Sequence, residues 1–599
     1  MSGTGRRLGT AALTIAIALG AITVGAVQAT AATKKKPVVL TIGVKQDIDS
    51  LNPYSGVSVA AYEAWTLEYD TLLNLSADGL KAVPELSTNV PKVASDGLTW
   101  TYHLRHDVKW SDGTPFTADD VVYTLSRMKK EEWSNFVTFV SGFKSITAPD
   151  KYTVVVKTEK PDPRMPYIPA YILQKKQWSQ VSTKDVGTFS NSNMIGTGPF
   201  RLQTFKKGQY TKFKANPDYF GGAPHIDGIT LQLYTNDETM VQDLQNGVID
   251  AASDIKASLF PRVKADSKLT AVAADDGSFS MLTLNTESDG KAKVGNGNAA
   301  LQDPRVRIAI AHAIDKQTLV DKVLNGYGVV GQSMNVALAP RWDLDPVKDP
   351  YKFDIKEANK ILDNAGYLDT NHDGVREMPG GGKPINLRYD IRSGSSIEAP
   401  DAQYISGWLK QIGIKTTVKT VSEDQLTPIE NAGTFDMATW GWTPFTDPDA
   451  QLSYLTCGQV PKAPDDGSYN DAFYCNKKYD ELYTQQRSQL DETKRIAEVQ
   501  EMQQIFYNDV PYVVMFRAQN LQAYNHDRFT GFTPVPKPDG PVMIANDFLN
   551  YTDVKQAGTG GGSSSSGVVI IIILVIVALG VIVGIVLAMN RRRTADLRE

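Results

Sequence analysis

Apolar residues along this chain recur in two patterns, which predict strands where they alternate or run β-branched and helices where they return every three or four residues. Residues 38–44 (VVLTIGV) form a run suited to a buried strand, and 61–75 carry helical spacing. Residues 100–104 alternate, and 108–110 lead into the turn Ser111-Asp112-Gly113-Thr114-Pro115, whose Asp-Gly pair tolerates a tight reversal. The helix predicted next takes Thr117 as its N-cap. It places Asp119 and Asp120 against the positive dipole end and buries Val121, Val122 and Leu125. Residues 306–324 and 399–412 read as amphipathic helices, 415–421 as a strand and 480–507 as one long polar helix. Strands at 385–391 and 435–442 each end in a loop before a helix. The result is an α/β chain without a repeat at solenoid period.

The two ends carry a different pattern. Arg6 and Arg7 precede an apolar, small-residue run, and Ala29-Thr30-Ala31-Ala32 offers a cleavage site, so 1–32 reads as a signal peptide. Residues 568–589 hold no charge; at ~1.5 Å per residue they reach roughly 33 Å, the thickness of a bilayer core. Arg591, Arg592 and Arg593 follow, so 590–599 is expected to be a cytoplasmic tail and the bulk of the chain to lie outside. The Gly/Ser stretch 557–567 would then be a tether. The expected location is the cell membrane, single-pass, with the large N-terminal part extracytoplasmic.

Charge narrows the partners. The 62 basic and 67 acidic residues sum to −5, and no basic run lies between the ends, which sets nucleic acid aside. Two cysteines exclude a four-cysteine metal site and leave Cys457–Cys475 as the one possible bridge, closing a loop worth roughly 3 kcal/mol in the chain-entropy picture. Catalytic signatures are poor: no Gly-x-Ser-x-Gly, no Walker loop and no His-Glu-x-x-His pair. The chain reads as a non-enzyme without a cofactor. One stretch has metal-ligand spacing. Asp369, Asn371 and Asp373 stand at first, third and fifth positions with Gly374 sixth; the Val375 carbonyl and Glu377 could complete a structural calcium site. The twelfth position is Gly380, so this is no EF-hand, and the same residues suit a metal-free Asx-rich turn.

Ordered blocks along the chain carry a resemblance. The stretch 100–125 (WTYHLRHDVKWSDGTPFTADDVVYTL) resembles the signature block of family 5 extracellular solute-binding proteins, the dipeptide, oligopeptide and nickel receptors of ABC importers. IGTGPF at 195, NPDYFGGAPHIDGI at 216, LQNGVIDAA at 244, DPRVRIAIAHAIDKQTLVDKVLNGYG at 303, WLKQIGIKTTVKTV at 408 and residues 510–516 follow in the family's order. The resemblance implies a two-lobed periplasmic-binding-protein-like fold with an extra inserted domain. The first lobe would be 37–75, 194–284 and 510–550, the insert 76–193 and the second lobe 285–509, with hinge crossings near Leu284-Asn285-Thr286 and Val510-Pro511.

Site residues follow by the same likeness. Tyr54, Ser55 and Gly56 match a cleft-lining loop, and Arg392 stands where dipeptide receptors pair an arginine with the peptide carboxylate. Peptide receptors carry an amine-binding aspartate three residues after a tryptophan; here that position is Phe445, leaving Asp447 as the substitute. Trp440, Trp442 and Phe445 would suit an apolar side chain or a sugar ring, and equally suit buried packing. The expected function is capture of a small solute, foremost an oligopeptide, for an ABC permease, with membrane attachment through the C-terminal helix. An oligosaccharide or metal-chelate receptor is the alternative within the family; a hydrolase or a sensor on this scaffold would depart from it.

Overall fold

A computed structural model describes residues 36–558 apart from 79–80, 132–135, 288–293, 332–333, 335, 345–350, 394, 464–468 and 544–548. Two mixed sheets organise the chain. The first has seven strands in the order Leu269–Ala274, Asn520–Asn525, Ala251–Ala252, Val39–Val44, Gly228–Leu233, Tyr210–Ala215 and Phe200–Lys206. The second has six: Gly328–Val330, Tyr512–Ala518, Phe279–Leu284, Met437–Trp442, Asn386–Arg392 and Lys415–Val421. Strand alternation gives each sheet two buried faces. In Phe279–Leu284, Leu282 and Leu284 enter the core under helices Pro304–Ala313, Ile355–Asn364 and Glu398–Gln411. Phe279 and Met281 enter the core under helices Lys477–Gln486 and Glu492–Asp509.

The insert is a three-stranded antiparallel sheet, Thr99–His103, Thr153–Thr158 and Phe143–Asp150, backed by helix Ala118–Glu131. Its Trp100, Tyr102, Val154 and Val156 share one continuous core with Leu40 and Trp65 of the first lobe. Asp120 ties the block together. Its carboxylate accepts the Thr117 and Lys175 backbone N–H groups at 3.0 and 2.9 Å and the Trp110 indole N–H at 3.4 Å.

Several local expectations shift. The apolar run 306–324 breaks at Ile314, where the Asp315 side chain caps a short new turn. The long polar helix is two helices, because Asp491 caps the second by accepting the Lys494 N–H. The lobes also cross elsewhere than expected. Phe279–Leu284 and Tyr512–Ala518 both belong to the second sheet, so the chain passes between sheets through 275–278 and at Gln519, not near Leu284 and Val510. The two crossings lie side by side: Ala274 is registered with Asn520, Arg517 pairs with Asp275 at 2.8 Å, and Gly277 takes φ +82°.

The fold-class expectation is corrected in one part. The two-lobed α/β architecture is present, but among the described residues no helix is long and apolar enough to cross a membrane. The expected membrane helix 568–589 lies outside the described residues, as do the signal peptide 1–32, the tail 590–599 and the tether from 559 on.

A close backbone approach ties two segments of the first lobe together. A Cβ on Gly196 would sit 1.7 Å from the Glu68 carbonyl oxygen, and the Gly198 N–H donates to that same oxygen at 2.9 Å. Gly196→Ala should therefore lower the free energy of unfolding by about 3 kcal/mol in a urea titration, as an overpacked backbone contact does.

Candidate ligand-binding cleft

The loop after strand Met437–Trp442 brings the second lobe against the insert. Trp440 and Trp442, two apart on the strand, share a face, with ring centroids 6.2 Å apart. Trp442 packs on Tyr454 at 4.6 Å and Tyr469 at 6.0 Å, and those two rings stack at 5.1 Å. The first lobe answers with aromatic groups of its own. Tyr62 comes within electrostatic reach of Tyr454, and Phe139 of the insert meets Phe445 edge-on at 5.8 Å.

Carboxylates line this aromatic region. Asp471 accepts the Trp442 indole N–H at 3.1 Å, and burial pushes its carboxyl up to about 7 against that hydrogen bond. Glu430, in the last turn of helix Glu423–Asn431, is 4% exposed, and its Oε1 has no hydrogen-bond partner among the described residues. Burial and the Asp471 charge hold Glu430 well above the ordinary carboxylate range, with Arg392 opposing. On the first-lobe side burial raises Glu63 to about 7 despite the Tyr551 hydroxyl it accepts. The segment bearing Asp471 is pinned. Cys457 and Cys475 are joined by a disulfide, and the Asn470 amide donates to the Thr456 and Tyr474 carbonyls at 3.1 and 2.8 Å.

The residues singled out in the sequence fall in three places. Arg392 ends its strand beside the cleft, but Glu398 engages it through Nε at 2.6 Å and Nη2 at 2.5 Å, and its guanidinium lies 5.0 Å over the Trp440 ring. Tyr54, Ser55 and Gly56 serve packing. The buried Tyr54 ring sits 5.3 Å from Trp178, the Ser55 hydroxyl meets Ser50 at 3.1 Å, and a Cβ on Gly56 would lie 2.5 Å from the Trp65 ring.

Asp447 is withdrawn from any ligand. Arg495 binds both its oxygens, at 2.6 and 2.8 Å, and the pair is buried. Arg495 Nε donates to Gln486 Oε1 at 3.0 Å, Gln486 Nε2 donates to Asp449 at 3.0 Å, and Arg164 of the insert reaches Asp449 at 2.8 Å and Asp162 at 2.7 Å. This buried chain of charges crosses from insert to second lobe. A groove of about 340 Å³ lies beside it, with Asp162, Arg164, Tyr483 and Arg487 in its walls. Burial opposes ionisation of Asp449, but Arg164, Arg487 and Arg495 outweigh it and hold the carboxyl below its usual range.

Sequence reasoning missed Glu430, Asp471, Glu398, Arg164 and Arg495. Only Asp471 left a signal, lying four residues before Cys475 inside the bridged loop. The possible calcium ligands Asp369, Asp373 and Glu377 do converge, each bringing a carboxylate oxygen within 4.8 Å of the others. Asn371 lies in the same loop, its amide donating to Asp373 at 3.1 Å.

Known proteins share this architecture. The family described as bacterial extracellular solute-binding proteins, family 5 Middle, matches residues 81–462. The chain is 27% identical over 484 residues to the oligopeptide-binding protein AppA of Bacillus subtilis, covering 78% of this chain and 83% of that protein. The structure of AppA in complex with a nonapeptide superposes with TM-score 0.70 at 25% identity, covering 87% of this chain and 100% of that one. NikZ of Campylobacter jejuni in complex with Ni(L-His) shares the fold with TM-score 0.72 at 23% identity, covering 86% and 99%.

The charge chain generates a test. Arg164→Met leaves Asp449 buried without its partner across the lobes, so the free energy of unfolding at pH 7 should fall by about 3–5 kcal/mol in urea. Because the folded Asp449 carboxyl lies below its unfolded value, its contribution is complete above about pH 4 and is lost as pH falls through the folded value. The gap between variant and wild type should therefore narrow on acidification below pH 4.

Proposed function

This chain belongs to the bacterial extracellular solute-binding proteins of family 5, and on that premise we propose that its cleft takes an oligopeptide by the free amino group. It is an extracytoplasmic binding protein of an ABC importer and not an enzyme. A ligand that touches both lobes stabilises only the closed arrangement, which is what a permease can recognise. The adjacent crossings at 275–278 and Gln519 suit such a motion, since few backbone dihedrals need change.

One observation carries the amine reading: the buried Glu430 feels the charge of the half-buried Asp471, which is bonded to the Trp442 indole, and Arg392 is occupied by Glu398. Two neighbouring carboxylates in an aromatic surround favour a cation, which restores the charge that burial suppresses. Asp447, tied to Arg495, does not serve, so the amine site moves from the loop to the disulfide-bridged segment and the end of helix Glu423–Asn431. Arg392 balances Glu398 and Glu430 and faces Trp440, and the aromatic walls accept apolar side chains.

Isothermal titration with short peptides, free or N-acetylated, tests the reading. Free peptides should bind and acetylated ones lose at least tenfold, and Asp471→Asn should cost the free peptide about 1.5–3 kcal/mol. Equal binding of acetylated peptides, or binding of sugars or chelates alone, overturns it. The amine needs ionised Asp471, whose folded value is about 7, while the peptide amine itself loses its proton near pH 8, so affinity should rise about fivefold from pH 6 to pH 7.5 and fall again at higher pH.

A further inference from the structure

We propose that the loop 369–377 of the second lobe is a calcium site, formed by Asp369, Asp373 and Glu377. The loop leaves helix Ile355–Asn364 through Gly366 at φ +86°, reverses at Gly374 at φ +87°, and returns to strand Asn386–Arg392 by way of a bridge between Glu377 and Pro384. The three carboxylates bring oxygens within 4.8 Å of one another, and among the described residues none of them is in an ion pair. Arg376, the nearest cation along the chain, is turned away: its guanidinium binds Asp363 at 2.7 Å, Asn359 at 2.8 Å and the Ile412 carbonyl at 2.9 Å. Among the described residues three carboxylates thus converge without an ion-pair partner to offset them.

Glu377 supplies the independent sign of a ligand. Its side chain is 6% exposed, Oε2 is fixed by the Thr370 N–H and hydroxyl at 2.8 and 2.9 Å, and Oε1 is buried with no partner. An orphaned anionic oxygen in that position is costly unless something positive meets it. Asp369 is half-buried and Asp373 exposed, so an ion can enter from solvent on the Asp373 side. The donors are all oxygen, and the Asn371 side chain and Val375 carbonyl lie within the same short loop. That set suits the loose, oxygen-rich shell of calcium better than the strict octahedron of magnesium. The loop precedes the strand whose far end carries Arg392, so the ion would brace the second lobe away from the ligand.

The full chain, stripped with chelator and titrated calorimetrically with calcium chloride alone, should show one binding event with a dissociation constant of order 10⁻⁴ M. Magnesium chloride should give at least tenfold weaker binding. Asp373→Asn changes only an exposed carboxylate and should retain the fold while weakening calcium at least tenfold; Glu377→Gln should do the same. Absence of calcium binding by the stripped wild type, or equal affinity in Asp373→Asn, overturns the site. Neither result bears on the peptide reading, which is measured with different ligands.

Discussion

The buried run of charges from Asp162 through Arg164, Asp449, Gln486 and Arg495 to Asp447 sets the terms for the rest of the molecule. Charges this deep persist only if each finds a partner, because removal from water costs more than any single contact returns. The chain meets that condition only when insert and second lobe are together, with Arg164 on one side and Asp449 on the other. It also fixes the start of helix Asp449–Ser453 and the loop before it, and so sets where Phe445 meets Phe139. Lobe closure and cleft shape are therefore one electrostatic problem.

The cleft solves the opposite problem. Asp471 and Glu430 lie near each other with incomplete compensation, and burial drives both toward the neutral form. Asp471 is nonetheless held in place by the Trp442 indole and by the disulfide-bridged segment around it. Two acids held near each other with incomplete compensation favour the approach of a positive charge.

Much of the local structure was legible. Strand Val39–Val44, helix Ala118–Glu131 with its acidic first turn, and helix Glu398–Gln411 follow directly from side-chain period. The breaks at Ile314 and before Asp491 were not, since apolar and polar spacing continues across both; a capping aspartate there competes with helix continuation, and packing decides between them. The displaced crossings have a similar cause. Phe279–Leu284 and Tyr512–Ala518 are apolar runs that would suit either sheet, and their membership is set by hydrogen bonds to Met437–Trp442 and Gly328–Val330 far away in the chain.

Sequence alone determined the class of this protein: ordered blocks, strand and helix periods and the lack of a catalytic signature led to a two-lobed solute-binding chain with an insert. It also singled out Arg392, Trp440 and Trp442, which the fold brings to one place, the Arg392 guanidinium 5.0 Å over the Trp440 ring and the two indoles 6.2 Å apart. Only the tertiary structure decided which charges are spent and which remain. Asp447 looked available until Arg495, 48 residues away, was brought against it, and Glu430 had no distinguishing neighbour until Asp471 closed on it. Short-range pattern records what each segment prefers by itself; the state of a carboxylate depends on burial and on partners that the chain supplies from a distance.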